Sequence, residues 1–186
     1  MNIKFSIYIA TTLDGFIARP DGSLDWLPGS DGSGESLDQE DYGMGAFMAT
    51  VDALLMGRNT YDLVKSFDGP WPYGKVPAYV LSNTMKQEDV PDKHKDKVNI
   101  IKGDPATVAT ILNDDKINHV YVDGGKTIQQ YLRAGLITQL ILTKVPVLIG
   151  RGISLFGPLE KDLHLKLENT KSYDNGFTQT TYQVIH

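Results

Sequence analysis

The sequence predicts an α/β domain of three layers, in which a mostly parallel mixed sheet is packed between helices and ends in an antiparallel hairpin. One observation is that short apolar runs alternate with stretches whose apolar residues recur at helical spacing. Alternating units of this kind build a parallel sheet with helices on both faces. The other is that the last part of the chain alternates apolar and polar residues around Asp174-Asn175-Gly176, which indicates a β-hairpin.

The composition is that of an ordinary globular protein and argues against several classes of function. The chain has 186 residues, 41% of them hydrophobic, which suits one domain spanning 1–186. A net charge of −5 argues against a nucleic-acid partner, because phosphate backbones need a basic surface. Cysteine is absent and the four histidines lack ligand-like spacing, so we expect no metal. No apolar run reaches the roughly 20 residues of a membrane helix and no signal peptide is visible, so we expect a cytoplasmic protein without a membrane partner.

The first half of the chain is predicted to contain a strand, a long loop, a helix and a second strand. Residues 4–12 alternate as a half-buried strand does, and the Asp-Gly pairs that follow mark turns. The glycine- and serine-rich run 26–34 is a long loop, either functional or a plain connection. Apolar residues in 36–49 favour a helix, and 51–56 reads as a short buried strand.

The second half continues the alternation and then changes to antiparallel strands. Strands are predicted at 78–81 and 98–101, and a helix begins at Asp104-Pro105, with proline in its first turn. A long apolar segment from 136 to 147 follows the next strand and helix, and two alternating stretches close the chain.

Two junctions combine a strand end, glycine and a helix start. In the first, a strand at 119–122 is followed by Asp123-Gly124-Gly125 and a helix. In the second, 51–56 is followed by Gly57 and the polar turn 58–60. Such junctions present free N–H groups and the positive end of a helix dipole, which suits a phosphate. The alternatives are a tight turn that only glycine fits and, for Arg58, a surface salt bridge.

A third polar strand end, Ser82-Asn83-Thr84, follows the strand at 78–81 and offers hydrogen-bonding groups for a phosphate or ribose, although ordinary turn chemistry explains it equally well. Because ligands of parallel sheets bind beyond the carboxyl ends of the strands, we expect the three strand ends to converge on one extended ligand. Together they predict a dinucleotide site.

With these motifs in place, the sequence resembles the dihydrofolate reductase-like superfamily. It is most similar to the reductase domain of the bifunctional riboflavin-biosynthesis deaminase-reductase and its stand-alone relatives. No deaminase half is expected, since its zinc-ligand cysteines are missing. The order of elements between the matching segments extends the resemblance over nearly the whole chain. The matching segments are 12–18, 55–61, 122–125 and 146–156.

The resemblance implies NADPH-dependent hydride transfer to a small heterocyclic substrate. It also implies a cis peptide between the paired glycines. The resemblance implies that the pyrophosphate and the 2′-phosphate side are held by Gly57, Arg58, Asn59 and Thr60, and the adenosine end by Leu81, Ser82 and Asn83. It implies that the phosphates and the nicotinamide side are held by Gly124, Gly125, Lys126 and Thr127. The nicotinamide itself would be flanked by Ala10 and Ile17.

A catalytic acid is also implied by the resemblance. Dihydrofolate reductases place a carboxylate on their first helix, and Asp41 falls at that place, with Glu40 beside it. Partial burial would raise the pKa of such a carboxyl and suit it for proton delivery. The alternative is that both are solvated acids on a helix face.

Several functions stay open at this point. The substrate is either the riboflavin-pathway 5-amino-6-(5-phosphoribosylamino)uracil or dihydrofolate, although Gly45 fits poorly with the apolar wall that dihydrofolate needs. A non-catalytic nucleotide-binding or sensing protein and a structural module are the alternatives, because fold alone does not establish function. The resemblance further implies a homodimer paired through the C-terminal apolar strands.

Overall fold

The computed structural model describes residues 3–28, 40–67 and 70–185, and these contain ten strands and four α-helices. The strands are β1 (Lys4–Thr12), β2 (Phe16–Ala18), β3 (Ala53–Gly57), β4 (Ala78–Leu81), β5 (Val98–Ile101), β6 (His119–Asp123), β7 (Ile137–Val145), β8 (Ile153–Ser154), β9 (His164–Ser172) and β10 (Thr178–Ile185). The helices are α1 (Met44–Met48), α2 (Arg58–Ser66), α3 (Pro105–Asp114) and α4 (Gly125–Arg133).

Eight strands form one mixed sheet in the order β5-β4-β3-β6-β1-β7-β10-β9. The first six of these are parallel to one another, and the hairpin β9–β10 is antiparallel to its neighbours. The predicted fold class is therefore confirmed, including the C-terminal hairpin. A second, two-stranded sheet of β2 and β8 was not predicted from the sequence, because β8 has only two residues and its pairing depends on a distant part of the chain.

Apolar side chains pack on both faces of the large sheet and give the molecule its three layers. One group of buried residues joins the sheet to α3 and α4, with Leu112 and Ile128 fully buried. The other joins it to α1 and α2 through the buried side chains of Phe47 and Tyr61. The central strand β3 is buried on both sides, since its residues 53–56 have no exposed surface, and this explains its continuous apolar run.

Local signals explain some helix boundaries and not others. Helix α3 begins as predicted, because the carboxylate of Asp104 accepts the N–H of Thr107 at 2.8 Å and proline follows in the first turn. The helix predicted at 36–49 is shorter: only Met44–Met48 is helical, and 36–39 lies outside the described residues. The chain enters α1 through Tyr42 and Gly43, both with positive φ, so no helix extends back through them.

The first three residues of the predicted loop at 26–34 belong to the described part of the chain. Its residues 29–34 lie outside the described part of the chain, whereas Trp26 is buried against the end of the sheet. Among the described residues, no helix combines the length and the apolar character needed to cross a membrane.

Candidate functional site

Three parallel strands end side by side at one edge of the sheet. β3 lies between β4 and β6, and its last residue, Gly57, pairs with Leu81 of β4. Helix α2 begins directly after β3, and α4 begins at Gly125 just beyond β6. The register therefore brings the three polar strand ends together, as the sequence predicts.

The two strand–helix junctions face each other through a reciprocal arrangement of glycine and threonine. A Cβ atom added to Gly57 would lie 3.1 Å from Oγ1 of Thr127, and one added to Gly124 would overlap Oγ1 of Thr60. The φ of 90° at Gly124 is also one that side-chain-bearing residues rarely adopt. Among the described atoms, no side chain caps the start of α2 or α4, so backbone N–H groups of both first turns remain for a ligand. This arrangement suits a phosphate.

Arg58 lies in the first turn of α2 and joins two of the strand ends. Its Nη1 donates a hydrogen bond to Oγ1 of Thr84 at 3.2 Å, and its Nε lies 3.3 Å from Oδ2 of Asp62. The surface salt bridge, which was the alternative interpretation of Arg58, is therefore present, and the guanidinium also reaches the polar end of β4. About half of the side chain is exposed, so the charge stays accessible to a ligand. Asn59, beside it, is also exposed.

The polar stretch after β4 is built mainly by turn chemistry. Oγ of the buried Ser82 accepts the backbone N–H of Met85 at 2.9 Å and that of Thr84 at 3.3 Å. Its hydroxyl oxygen therefore holds the turn, which was the alternative interpretation from the sequence. Asn83 is exposed beside it, and Leu81 is partly buried against the core.

The glycine pair also touches the segment predicted to flank a nicotinamide. A Cβ atom at Gly125 would lie 2.8 Å from Cδ1 of Ile17, so the two residues are in close contact. Ala10 lies on β1 and packs toward a different group of buried residues, while Lys126 is exposed. The described residues contain no cis peptide bond, so the expected cis peptide between Gly124 and Gly125 is wrong.

Asp41 is not the partly buried acid that was expected. Its residue is exposed, and its carboxylate accepts the backbone N–H groups of Gly43 at 2.8 Å and Gly45 at 3.0 Å. These hydrogen bonds lower the pKa of Asp41, because they stabilise the charged form. The expectation of a raised pKa is therefore wrong. Glu40 is exposed as well, and it lies 3.9 Å from Nζ of Lys171.

A second carboxyl group, Asp123, has the properties that were expected of Asp41. It ends β6 directly before the glycine pair, and its Oδ1 accepts the N–H of Gly124 at 2.8 Å. The residue keeps some accessible surface, yet its carboxyl group is packed among protein atoms, and this burial raises its pKa. Tyr73 interacts with it from the loop after α2, and burial together with the charge of Asp123 raises the pKa of that phenol.

Sequence reasoning treated Asp123 only as the point where the strand ends. Its position directly before two glycines at a strand end was the available signal. The burial of its carboxyl group was not predictable, because it depends on Tyr73 and the aromatic loop around it.

The sheet order and the structural match to a reductase give the chain the dihydrofolate reductase-like α/β fold. Within that class, the chain belongs to the RibD C-terminal domain family, whose model matches residues 4–179.

Relatives of known sequence or structure agree with this assignment. The uncharacterized protein YwjB of Bacillus subtilis (strain 168) is 33% identical over 175 residues, which cover 93% of this chain and 94% of YwjB. The crystal structure of a candidate riboflavin biosynthesis protein from Shewanella sp. PV-4 is 42% identical, with a TM-score of 0.89, and the match covers 99% of this chain and 100% of that one.

A bifunctional enzyme shares the fold alone. It is the diaminohydroxyphosphoribosylaminopyrimidine deaminase/5-amino-6-(5-phosphoribosylamino)uracil reductase of Thermotoga maritima, which matches with a TM-score of 0.73 at 15% identity. The match covers 99% of this chain and 57% of that one.

Proposed function

We propose that this protein is an NADPH-dependent oxidoreductase that transfers a hydride to a small heterocyclic substrate. The observation that carries the proposal is the reciprocal packing of Gly57 against Thr127 and Gly124 against Thr60. It holds two helix starts that no side chain caps next to each other, with the hydroxyl groups of Thr60 and Thr127 at the contact, and such helix starts favour a pyrophosphate. The Shewanella protein, described for riboflavin biosynthesis, and the Thermotoga protein, described as a 5-amino-6-(5-phosphoribosylamino)uracil reductase, favour a substrate that contains a pyrimidine.

The residues of the three strand ends fit NADPH along its length. The backbone at Gly57 and Gly124 would hold the pyrophosphate, and Thr60 and Thr127 would add hydroxyl groups. Arg58, with its guanidinium exposed next to Thr84, is placed to bind the 2′-phosphate. Leu81, Ser82 and Asn83 would hold the adenosine end, and Ala10, Ile17, Gly125 and Lys126 would flank the nicotinamide end. NADPH would supply the hydride.

Asp123 is the side chain that we propose as the proton donor. Its raised pKa keeps a proton on the carboxyl at a higher pH than for an exposed aspartate, and general acids work best when their pKa lies near the working pH. Its position between β6 and the glycine pair puts this proton beside the proposed nicotinamide site. Asp41, exposed and with its pKa lowered, is poorly suited to this task.

Titration with NADPH and NADH tests the proposal directly. We expect calorimetry to show tight binding of NADPH and weak binding of NADH. NADPH oxidation would then be followed after adding 5-amino-6-(5-phosphoribosylamino)uracil or dihydrofolate. Oxidation with one of them identifies the substrate class. Binding without turnover of either would favour a nucleotide-sensing protein, and the absence of nucleotide binding would contradict both functions.

A cytoplasmic location is part of the proposal. An enzyme that uses NADPH and a small metabolite works where both are present, and a chain without cysteine needs no oxidising compartment. Fractionation of the native organism, with the protein detected by antibody, would test this location.

A further inference from the structure

The two-stranded sheet of β2 and β8, which we call the small sheet, carries Ile17. Its strands have three and two residues, and they pair Phe16 with Ser154 and Ala18 with Ile153. A sheet of two such short strands is only marginally stable by itself. The position of Ile17 therefore depends on the contacts that attach the small sheet to the rest of the molecule.

The first attachment of the small sheet is to α4. A Cβ atom added to Gly125, the first residue of α4, would lie 2.8 Å from Cδ1 of Ile17 and 3.5 Å from the carbonyl oxygen of Ser154. Gln129, one turn further along the helix, donates from its Nε2 to the same carbonyl oxygen at 3.0 Å. These contacts bring the small sheet against the start of α4, and Ile17 lies at that contact.

The second attachment is the side chain of Asp14, which lies in the short turn between β1 and β2. Its Oδ2 accepts the backbone N–H of Ile149 at 3.1 Å and that of Gly150 at 2.8 Å. These two residues belong to the segment that leads from β7 to β8, 135 and 136 positions further along the chain. Asp14 therefore ties together the two segments that enter the small sheet.

The hydroxyl group of Thr12 orients the carboxylate of Asp14. Thr12 ends β1 and is fully buried, and its Oγ1 donates to Oδ1 of Asp14 at 2.5 Å and accepts the N–H of Phe16 at 3.0 Å. The carboxylate thus has three donors and carries no hydrogen that would conflict with them. The hydrogen bond from Thr12 and those from the backbone lower the pKa of Asp14, so both of its oxygens act as acceptors at neutral pH.

Asp21 shows the contrast of an aspartate that only shapes a turn. Its Oδ1 accepts the N–H of Ser23, two residues along the chain, at 2.9 Å. This is the local pattern of an Asx turn. The turn after β1 needs only such local partners, so turn formation does not account for the hydrogen bonds of Asp14 to a distant segment.

We propose that Asp14 is a positioning residue for the nicotinamide ring. By holding the two segments together, it keeps the small sheet docked on α4, so that Ile17 lies where the ring binds. This inference rests on the proposed function, because it concerns the same cofactor site. Without the carboxylate, the small sheet would occupy its place for only part of the time, and the affinity for a ligand that needs it falls in proportion to that fraction.

Calorimetric titration of the full-length protein with two ligands tests the role of Asp14. NADP⁺ carries the nicotinamide, whereas adenosine 2′,5′-bisphosphate has the adenosine and the 2′-phosphate without it. The variant Asp14→Ala removes all three hydrogen bonds. We expect its affinity for NADP⁺ to fall about tenfold, as for a small sheet in place about one tenth of the time, and its affinity for the bisphosphate to stay the same. A general loss of structure would weaken both ligands.

A second variant and a matched control accompany this titration. Thr12→Val keeps the shape of the buried side chain and removes the hydroxyl group that orients Asp14, so NADP⁺ affinity should again fall while bisphosphate affinity stays the same. It decides the question if Asp14→Ala does not fold. Asp21→Ala is the control, because it removes an exposed carboxylate with a purely local hydrogen bond, and it should bind both ligands as the unaltered protein does.

Hydrogen exchange measures the attachment of the small sheet without any ligand. In Asp14→Ala, the backbone amides of 13–18 and 149–155 should exchange about tenfold faster or more, because the segments separate more often. The amides of the central strand β3 should exchange at the same rate as in the unaltered protein.

The outcomes separate this inference from the proposed function. If Asp14→Ala binds NADP⁺ as tightly as the unaltered protein does, or loses the same factor for both ligands, the inference is overturned while the cofactor site stands. Unchanged hydrogen exchange in 13–18 and 149–155 would overturn it as well. If the unaltered protein binds neither ligand, the proposed function itself fails, and the positioning of a nicotinamide fails with it.

Discussion

Gly124 lies against the hydroxyl group of Thr60 so closely that no side chain fits between them. A Cβ atom at Gly124 would overlap Oγ1 of Thr60, although the two residues belong to different strand–helix junctions. Because Gly57 approaches Thr127 in the reverse sense, the two helix starts are fixed relative to each other. The two contacts therefore hold the starts of α2 and α4 side by side, with the hydroxyl groups of Thr60 and Thr127 between them.

Replacing Gly124 with alanine should weaken nucleotide binding. The added methyl group meets Thr60, and a φ of 90° strains any residue with a Cβ atom. We expect the free energy of unfolding to fall by about 3 kcal/mol and the affinity for NADPH to fall tenfold or more, as measured by urea unfolding and calorimetry.

The matched control is Gly135→Ala. Gly135 also has a positive φ, of 65°, but no atom lies within 4 Å of its added Cβ. We expect a loss of about 1 kcal/mol in stability and unchanged NADPH affinity. If Gly124→Ala and Gly135→Ala both bind NADPH as tightly as the unaltered protein does, the strand–helix junction at Gly124 is not the phosphate site.

Arg58→Ala should distinguish the two nicotinamide cofactors. A guanidinium that binds the 2′-phosphate contributes a charge-assisted hydrogen bond, so its loss should weaken NADPH binding by roughly 10- to 100-fold. NADH lacks that phosphate, and its affinity should stay the same. Titrations of both cofactors against Arg58→Ala measure this, with the exposed Arg133→Ala at the end of α4 as the control. An equal loss for both cofactors would contradict the role of Arg58.

Asp123→Asn should abolish proton delivery while keeping the shape of the site. We expect the turnover rate to fall by about a hundredfold with little change in NADPH affinity. Since burial raises the pKa of Asp123, the acid is protonated below that raised pKa, and turnover should fall as the pH rises through it. The variant should lack this decline.

The same substitution checks the environment of Asp123 without any substrate. A carboxyl whose pKa is raised in the folded state stabilises the fold at low pH, and this stabilisation is lost as the pH rises through the folded-state pKa. Asp123→Asn should therefore be at least as stable as the unaltered protein at neutral pH. Asp41→Asn should lower the turnover rate far less. If Asp41→Asn lowered the turnover rate strongly while Asp123→Asn left it unchanged, Asp41 would be the acid.

The fold was predictable from short-range patterns because the central parallel strands β3 and β6 are buried at all but their last residue. β3 and β6 appear in the sequence as continuous apolar runs, and each is followed at once by glycine and a helix. The same glycines predicted the convergence of strand ends, since parallel strands must end at the same edge. The register of β3 with β4 and β6 agrees with that reasoning.

The features that were mispredicted depend on residues far apart in the chain. The start of α1 depends on Tyr42, whose left-handed conformation is held by Tyr8 and Gln179. The environment of Asp123 likewise depends on Tyr73. These contacts are not visible in the local sequence. The acid role was therefore assigned to Asp41 from the family resemblance, and the exposure of Asp41 was not predicted.

Two buried histidines should make the protein less stable in acid. His119 and His94 are 7% and 6% exposed, and burial lowers the pKa of each, so both are neutral in the folded state. A group with a depressed folded-state pKa stabilises the fold above its unfolded pKa of about 6.5, and this stability is lost as the pH falls through the folded value. Urea unfolding should therefore show lower stability near pH 5 than near pH 7.5.

The contacts of His119 show why it should contribute to this effect. Its Nδ1 donates to the carbonyl of Thr50 at 2.8 Å, and its Nε2 is 2.8 Å from Oγ of Ser6, so the ring is paired as a neutral group. The double variant His94→Gln and His119→Gln should lose part of the pH dependence. His164→Gln, on the exposed strand β9, is the control and should retain it. A pH dependence that both variants share with the unaltered protein would contradict this assignment.

The family resemblance of the sequence implies a homodimer, and we propose that two copies of the chain associate through β9. β9 is the last strand of the sheet, all nine of its residues are exposed, and they include Leu165 and Leu167. An edge strand with exposed apolar side chains is a template for pairing with a second strand. If two copies pair antiparallel about Leu167, Lys166 of each copy faces Glu168 of the other.

This register makes the prediction specific. Lys166→Glu should place like charges opposite each other and shift the mass measured by light scattering from dimer to monomer at low concentration, because opposed like charges destabilise a strand pair. Adding Glu168→Lys to that variant exchanges both charges and should restore the dimer. A charge reversal at Lys95, exposed and far along the chain from β9, is the control and should leave the mass unchanged. A protein that is monomeric before any substitution would contradict the pairing, as would a dimer that is indifferent to all three changes.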